Sequence, residues 1–295
     1  MRKSTVIVLL CISAALFGQE FIVDYIDGIV DVLDGNSWLE VLPGDTLTAE
    51  DTVRLEAGAI LELSGSRSRF TLSEEGRYNL KDLGKNSVNT SGLGSMISYK
   101  LKTMVNSEQR GQSAVMGVRA AEAEADEPLT WMSSESDEFI KSGKAELEKA
   151  NYPEALGDFK TALEFALENE EETEADTARF YVGYVYTLMD SAGPALKYLN
   201  DVYPDSSQEY YSELIILKGN LLLSSFAYQT ALDWFGKFEE NAASAETKQT
   251  VKLLKGLAYL GNGDAKKAKT EFKAAKDLDP ASDIGKYASE QEMKL

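Results

Sequence analysis

The stretch Val251–Pro280, VKLLKGLAYLGNGDAKKAKTEFKAAKDLDP, decides the fold of the C-terminal half. Its apolar residues recur at helical spacing on either side of Gly261-Asn262-Gly263-Asp264, a turn signal, and Pro280 stops the second run. The pattern predicts a helical hairpin.

Working upstream, the same offsets return. Gly143 is followed by Ala155 and Phe159, Gly183 by Ala195 and Leu199, Gly219 by Ala231 and Phe235, and Gly256 by Ala268 and Phe272. The Gly-to-Ala offset is 12 and the Ala-to-large offset is 4 in all four, and the glycines are 40, 36 and 37 residues apart. Self-similarity at such a period marks a repeat array. A small residue on each helix lets the pair approach closely. The large residue one turn later then fills the space between adjacent hairpins. Breaks at Lys149–Tyr152, Asp190–Gly193 and Ser224–Tyr228 fall at matching places. The acidic gap Glu168–Asp176 predicts either extended helices or a loop, and 281–295 a capping helix with a polar outer face.

Composition narrows the chemistry. The chain has 295 residues, enough for two cores, and a net charge of −19, which speaks against nucleic acid or an anionic membrane as partner. It has no His, so His-dependent acid–base, nucleophilic and zinc chemistry is excluded. The single Cys, Cys11, lies in the apolar run of residues 1–19, MRKSTVIVLLCISAALFGQ, a signal-peptide pattern with a basic start. The expectation is a secreted, periplasmic protein with no membrane span after signal removal; lipid anchoring through Cys11 is the alternative. No catalytic residue, metal site or cofactor is expected.

Residues 20–120 change character. Short Val-, Ile- and Leu-rich segments alternate with turns such as Asp27-Gly28, Asp34-Gly35-Asn36 and Pro43-Gly44-Asp45. Leu61-Glu62-Leu63 and Phe70-Thr71-Leu72 alternate apolar with polar, implying one packed and one wet face. Leu93–Val105 carries helical spacing and predicts one helix packed on the strands. Residues 121–134, acidic and broken by Pro128, form a linker. The fold class expected is α+β multidomain: an N-terminal all-β sandwich or roll with one helix, then an α-α solenoid of about four hairpins over 135–280.

Two resemblances follow from these residues. Asp27-Gly28-Ile29-Val30, Leu42-Pro43-Gly44-Asp45-Thr46-Leu47, Asp51-Thr52-Val53-Arg54 and the later Gly117-Val118-Arg119 resemble the FecR-like domain family, with Ala120 where the family continues with Gly. The repeats resemble the tetratricopeptide family through the glycines, Tyr186, Leu222 and Tyr259 three residues on, the alanines, the large residues and Pro280; Glu146 departs from the usual aromatic. The second resemblance implies a groove lined by first helices. By position, Ile140, Lys144, Phe180, Tyr184, Ile216, Asn220, Leu253 and Leu257 would line it and hold an extended peptide or a partner helix. The function expected is a non-enzymatic adaptor or scaffold for a protein partner in the bacterial cell envelope. The alternative is an envelope sensor whose β domain binds a cell-wall component or carbohydrate.

Overall fold

A computed structural model describes residues 19–66, 68–83, 134–238 and 243–295. Residues 1–18 of the signal pattern, the expected helix Leu93–Val105, the Gly117–Arg119 strand and linker residues 121–133 lie outside them.

The N-terminal region holds eight strands among the described residues: β1 (Glu20–Asp27), β2 (Val30–Asp34), β3 (Ser37–Glu40), β4 (Thr46–Thr48), β5 (Thr52–Leu55), β6 (Ile60–Gly65), β7 (Arg69–Leu72) and β8 (Gly76–Asn79). They form two antiparallel sheets, ordered β4-β1-β6-β7 and β3-β2-β5-β8. Phe21, Val23, Leu61, Leu63 and Leu72 of the first sheet and Val30, Val53 and Leu55 of the second share one apolar core. The β1–β2 turn needs its glycine twice over. Gly28 has φ +77, and a Cβ there would lie 2.9 Å from the Ala59 backbone.

A bulge between Val23 and Tyr25 leaves Asp24 unpaired against β6. One extra residue reverses the facing of everything after it. Phe21 and Val23 therefore point into the β core, whereas Tyr25 points outward to the helices.

The C-terminal region is built of helical hairpins: α1 (Glu135–Glu148) with α2 (Tyr152–Glu168), α3 (Glu172–Leu188) with α4 (Ala192–Asn200), α5 (Tyr211–Ser224) with α6 (Tyr228–Phe235), and α7 (Ala245–Gly261) with α8 (Ala265–Leu278). α9 (Asp283–Met293) follows. Between the first two hairpins the acidic gap is mostly helix, with only 169–171 left as a turn.

Each repeat glycine receives the large residue of its own hairpin. A Cβ on Gly143 would stand 2.7 Å from the Phe159 ring, one on Gly183 2.5 Å from Leu199, and one on Gly256 2.5 Å from Phe272. Gly219 is covered in the same way by Phe235. The large residue thus fills space within its hairpin first. It can also reach the next one, since Phe159 stacks on Tyr181 with ring centroids 4.9 Å apart.

A further periodicity is conformational. Ala150 (φ 57), Asp190 (φ 59), Phe226 (φ 61) and Gly263 (φ 82) each lie 7 residues after the repeat glycine, and all are left-handed. The hairpin turn demands this geometry whatever residue occupies it. It is costly for Phe226, where the Cβ resists positive φ.

α9 closes the array. Gln249 of α7 donates to the carbonyls of Ala275 (2.9 Å) and Asp279 (2.8 Å) and accepts from the Ser282 hydroxyl at 3.0 Å. A Cβ on Gly285 would overlap the Asp279 carbonyl, which is backbone and cannot rotate away. Gly285→Ala is therefore expected to lower stability by about 2 kcal/mol, within the range for overpacking. Urea unfolding followed by far-UV circular dichroism checks it.

Candidate functional site

Six of the eight groove residues proposed from the sequence are core. Ile140, Phe180, Tyr184, Ile216, Leu253 and Leu257 are no more than 6% exposed. Phe180 stacks on Tyr210 with centroids 4.5 Å apart and meets Tyr181 edge-on at 5.1 Å. Burial raises the Tyr184 hydroxyl pKa well above its ordinary value, with Tyr152, Tyr181 and Glu213 adding to the effect. These six side chains are interior packing, and in this conformation they offer no surface to a peptide. Lys144 and Asn220 differ: both are half-buried. The Lys144 ammonium lies 2.7 Å from the Glu209 carboxylate and 4.8 Å from the Tyr181 ring centre.

The contact that sequence reasoning missed is the seam between β region and array. Ile60 and Glu62 on β6 point away from the β core, and that face is covered by α4 rather than by water. Alternation in β6 therefore separates two buried faces, which corrects the expected wet face. The Glu62 Oε2 accepts the Gly193 backbone N–H at 3.3 Å. Ser191, the N-cap residue of α4, makes no side-chain cap, so the carboxylate of the other region serves the helix N-terminus. Arg69 of β7 lies 3.7 Å from Glu62, 3.7 Å from Asp24 and 3.6 Å from the Asp190 carboxylate, and donates to the Asp190 carbonyl at 2.7 Å. Lys197 of α4 reaches Asp27 at 3.0 Å.

A second anchor is Phe226, whose ring lies 6.3 Å from Phe70 of β7 and 6.4 Å from Tyr228. Two of the four left-handed residues at the turns within hairpins, Asp190 and Phe226, are thus seam residues. The strain at Phe226 is offset by apolar contact to both cores.

The other end of α4 is held from α5. Lys218 donates to the Leu199 carbonyl at 3.0 Å, in the last turn of α4, and its ammonium lies 4.2 Å from the Trp234 ring centre. A nine-residue helix is too short to hold itself. An acceptor from Glu62 at its first turn and a donor from Lys218 at its last turn satisfy backbone groups that the helix itself leaves open. Burial pushes the Lys218 pKa down to about 8, with Lys237 contributing and Asp201 opposing. The unfolded chain then binds the extra proton between that value and the ordinary 10.5. Stability is expected to rise with pH across this window, by at most about 3 kcal/mol from this group. Above pH 10 the trend reverses, because burial also raises the Tyr184 and Tyr210 hydroxyls. Denaturation midpoints between pH 7.5 and about 9.5 check the slope. It should flatten in Lys218→Met.

The outer face of the second sheet carries a different cluster. The Arg54 and Arg77 guanidinium carbons lie 4.6 and 5.3 Å from the Trp38 ring centre. Arg54 also pairs with Asp31 at 2.5 Å. Beside them opens a shallow cleft of about 520 Å³, lined by Arg54, Glu56, Glu75 and Arg77 among others. Among the described residues no acidic, His or Cys group is placed to hold a metal ion, and no helix is long and apolar enough to cross a membrane.

No family model matches the chain, and no curated protein matches it. Among solved structures it is similar to MamA 41-end from Desulfovibrio magneticus RS-1, at 21% identity and a TM-score of 0.40, over 55% of this chain and 94% of that one. It is also similar to the MamA RS-1 ArsTM double mutant, at 22% identity and a TM-score of 0.42, over 55% and 93%. Likenesses at these scores add nothing to what the residues themselves support.

Proposed function

We propose that this chain is a non-enzymatic adaptor of the bacterial cell envelope, exported to the periplasm, whose tetratricopeptide-like array holds a protein partner. The FecR-like β domain acts as a fixed brace on that array. The observation that carries this is the regular stacking of the hairpins, each glycine seated under the large residue of its partner helix. Arrays of this kind expose a long continuous surface suited to protein contact. Since the apolar first-helix residues are interior, recognition falls to polar positions on the same helices, led by Lys144 and Asn220.

A photo-crosslinking residue at Asn220 tests this in intact cells, with Lys273, exposed on α8, as the control position. One defined partner captured from position 220 and not from 273 supports the adaptor. Identical capture from both positions overturns it.

A second function, carbohydrate binding by the β domain, is favoured by one observation: Trp38 with Arg54 and Arg77 on a sheet face beside an open cleft. An aromatic ring flanked by hydrogen-bonding side chains suits a sugar ring. Trp38→Ala should abolish pelleting of the protein with insoluble cell-wall polymer if the sheet is the binding face. Absence of pelleting by the wild type removes this alternative.

A further inference from the structure

Among the described residues, the seam holds more negative charge than its cations balance. Glu62 is packed against β1, β7, α4 and the turn before α4. From β1 come Asp24, Tyr25 and Asp27; from β7, Arg69; from the turn, Asp190; from α4, Lys197 and Tyr198; and Tyr186 stands at the end of α3. Lys197 is engaged by Asp27 at 3.0 Å. Among the described residues that leaves three carboxylates, Asp24, Glu62 and Asp190, around one guanidinium, that of Arg69, at 3.6 to 3.7 Å, each longer than a good charge-assisted hydrogen bond.

Solvent treats the three differently. The Asp190 side chain is 96% exposed and that of Asp24 30%, whereas that of Glu62 is 4% exposed. Water therefore screens the first two, and the uncompensated charge falls on Glu62. A neutral Glu62 still accepts the Gly193 N–H through its carbonyl oxygen. It also releases Arg69 to Asp24 and Asp190.

We infer that the seam is an acid-strengthened latch, in which protonation of Glu62 tightens the docking of the β region on α4. The direction agrees with its titration. Burial raises the Glu62 pKa above the ordinary carboxylate range, Asp24 and Asp190 add to this, and the Gly193 N–H and Arg69 oppose it. The docked form then binds more protons than the undocked form above the ordinary Glu range. Docking is strongest on the acid side and weakens as pH rises through the shifted value. Export to a compartment whose pH follows the surroundings is not required for the effect, which is a property of the folded chain.

Hydrogen exchange on the full chain at pH 5 and pH 7, with rates referred to the intrinsic rate at each pH, tests the latch. Protection of the first turn of α4, including the Gly193 amide, should be greater at pH 5, by up to about tenfold per pH unit for one linked proton. Helix α8, away from the seam, should show no such difference. Glu62→Gln, which keeps the acceptor and removes the charge, should hold the high protection at both pH values. Equal wild-type protection at the two pH values overturns the latch, and so does a Glu62→Gln protein that keeps the wild-type slope. If Glu62→Gln does not fold, the wild-type pair of measurements decides alone.

Discussion

Phe235→Ala is expected to lower the free energy of unfolding by about 3–5 kcal/mol, the range for deleting a fully buried aromatic ring. The ring sits on Gly219, which has no side chain to collapse into the space left behind. Its helix, α6, has only eight residues and depends on packing for its existence. Neighbouring Trp234, which donates to the Ile215 carbonyl at 3.1 Å, would lose its support as well. Gly219→Ala in the alanine background should recover part of the loss, since the added methyl enters the vacated space, whereas in the wild type the same change meets the ring. That reversal of sign is a coupling between the two positions that urea denaturation can measure as a double-mutant cycle. A loss below about 1 kcal/mol for Phe235→Ala would show that the hairpin does not rest on this contact.

The second large effect is expected from Gly193→Val. A Cβ at this position would lie 2.7 Å from the Tyr25 ring and 3.0 Å from the Glu62 carboxylate. The φ of Gly193 is not left-handed, so valine is tolerated by the backbone and the penalty falls on the seam. Overpacking costs about 1–3 kcal/mol. Displacing Glu62 from the Gly193 N–H leaves a buried carboxylate without its backbone donor, at a further cost of about 1–3 kcal/mol. The β region is expected to come off α4. Scanning calorimetry should then show two transitions where the wild type shows one, and a variant trace that matches the wild type would contradict the assignment of the seam.

The repeat units were legible in the sequence because their packing has a fixed chemistry: glycine, then alanine, then a large apolar residue, at constant offsets. The left-handed turn position was not, because backbone geometry alone sets it and Ala150, Asp190, Phe226 and Gly263 have nothing in common chemically. The burial of the apolar first-helix positions was hidden for a different reason. Phe180, Ile216 and Leu253 hold the same place, three residues before the repeat glycine, on three successive first helices, but a face turned to a neighbouring hairpin and a face turned to solvent carry the same pattern. Position within the repeat does not by itself mean exposure, and the apolar character of these three is the better guide.

Glu62 illustrates the limit from the other side. A glutamate between two leucines in a strand reads as a wet position, and only the docking of α4 makes it interior. The bulge at Asp24 was equally hidden, since a single extra residue leaves no mark in an alternating stretch whose outward face is also partly apolar. Strand β4, at three residues, was too short to stand out from the turn that precedes it.

The central claim is that β region and helical array form one body joined through α4. Pulsed electron-spin distance measurement tests it most directly, with labels on cysteines introduced at Asp34 and Lys273, both exposed, and Cys11 replaced by serine. A single narrow distance distribution in the otherwise wild-type chain, broadened by Gly193→Val, is the predicted result. A broad distribution already present without the Gly193 substitution would contradict it.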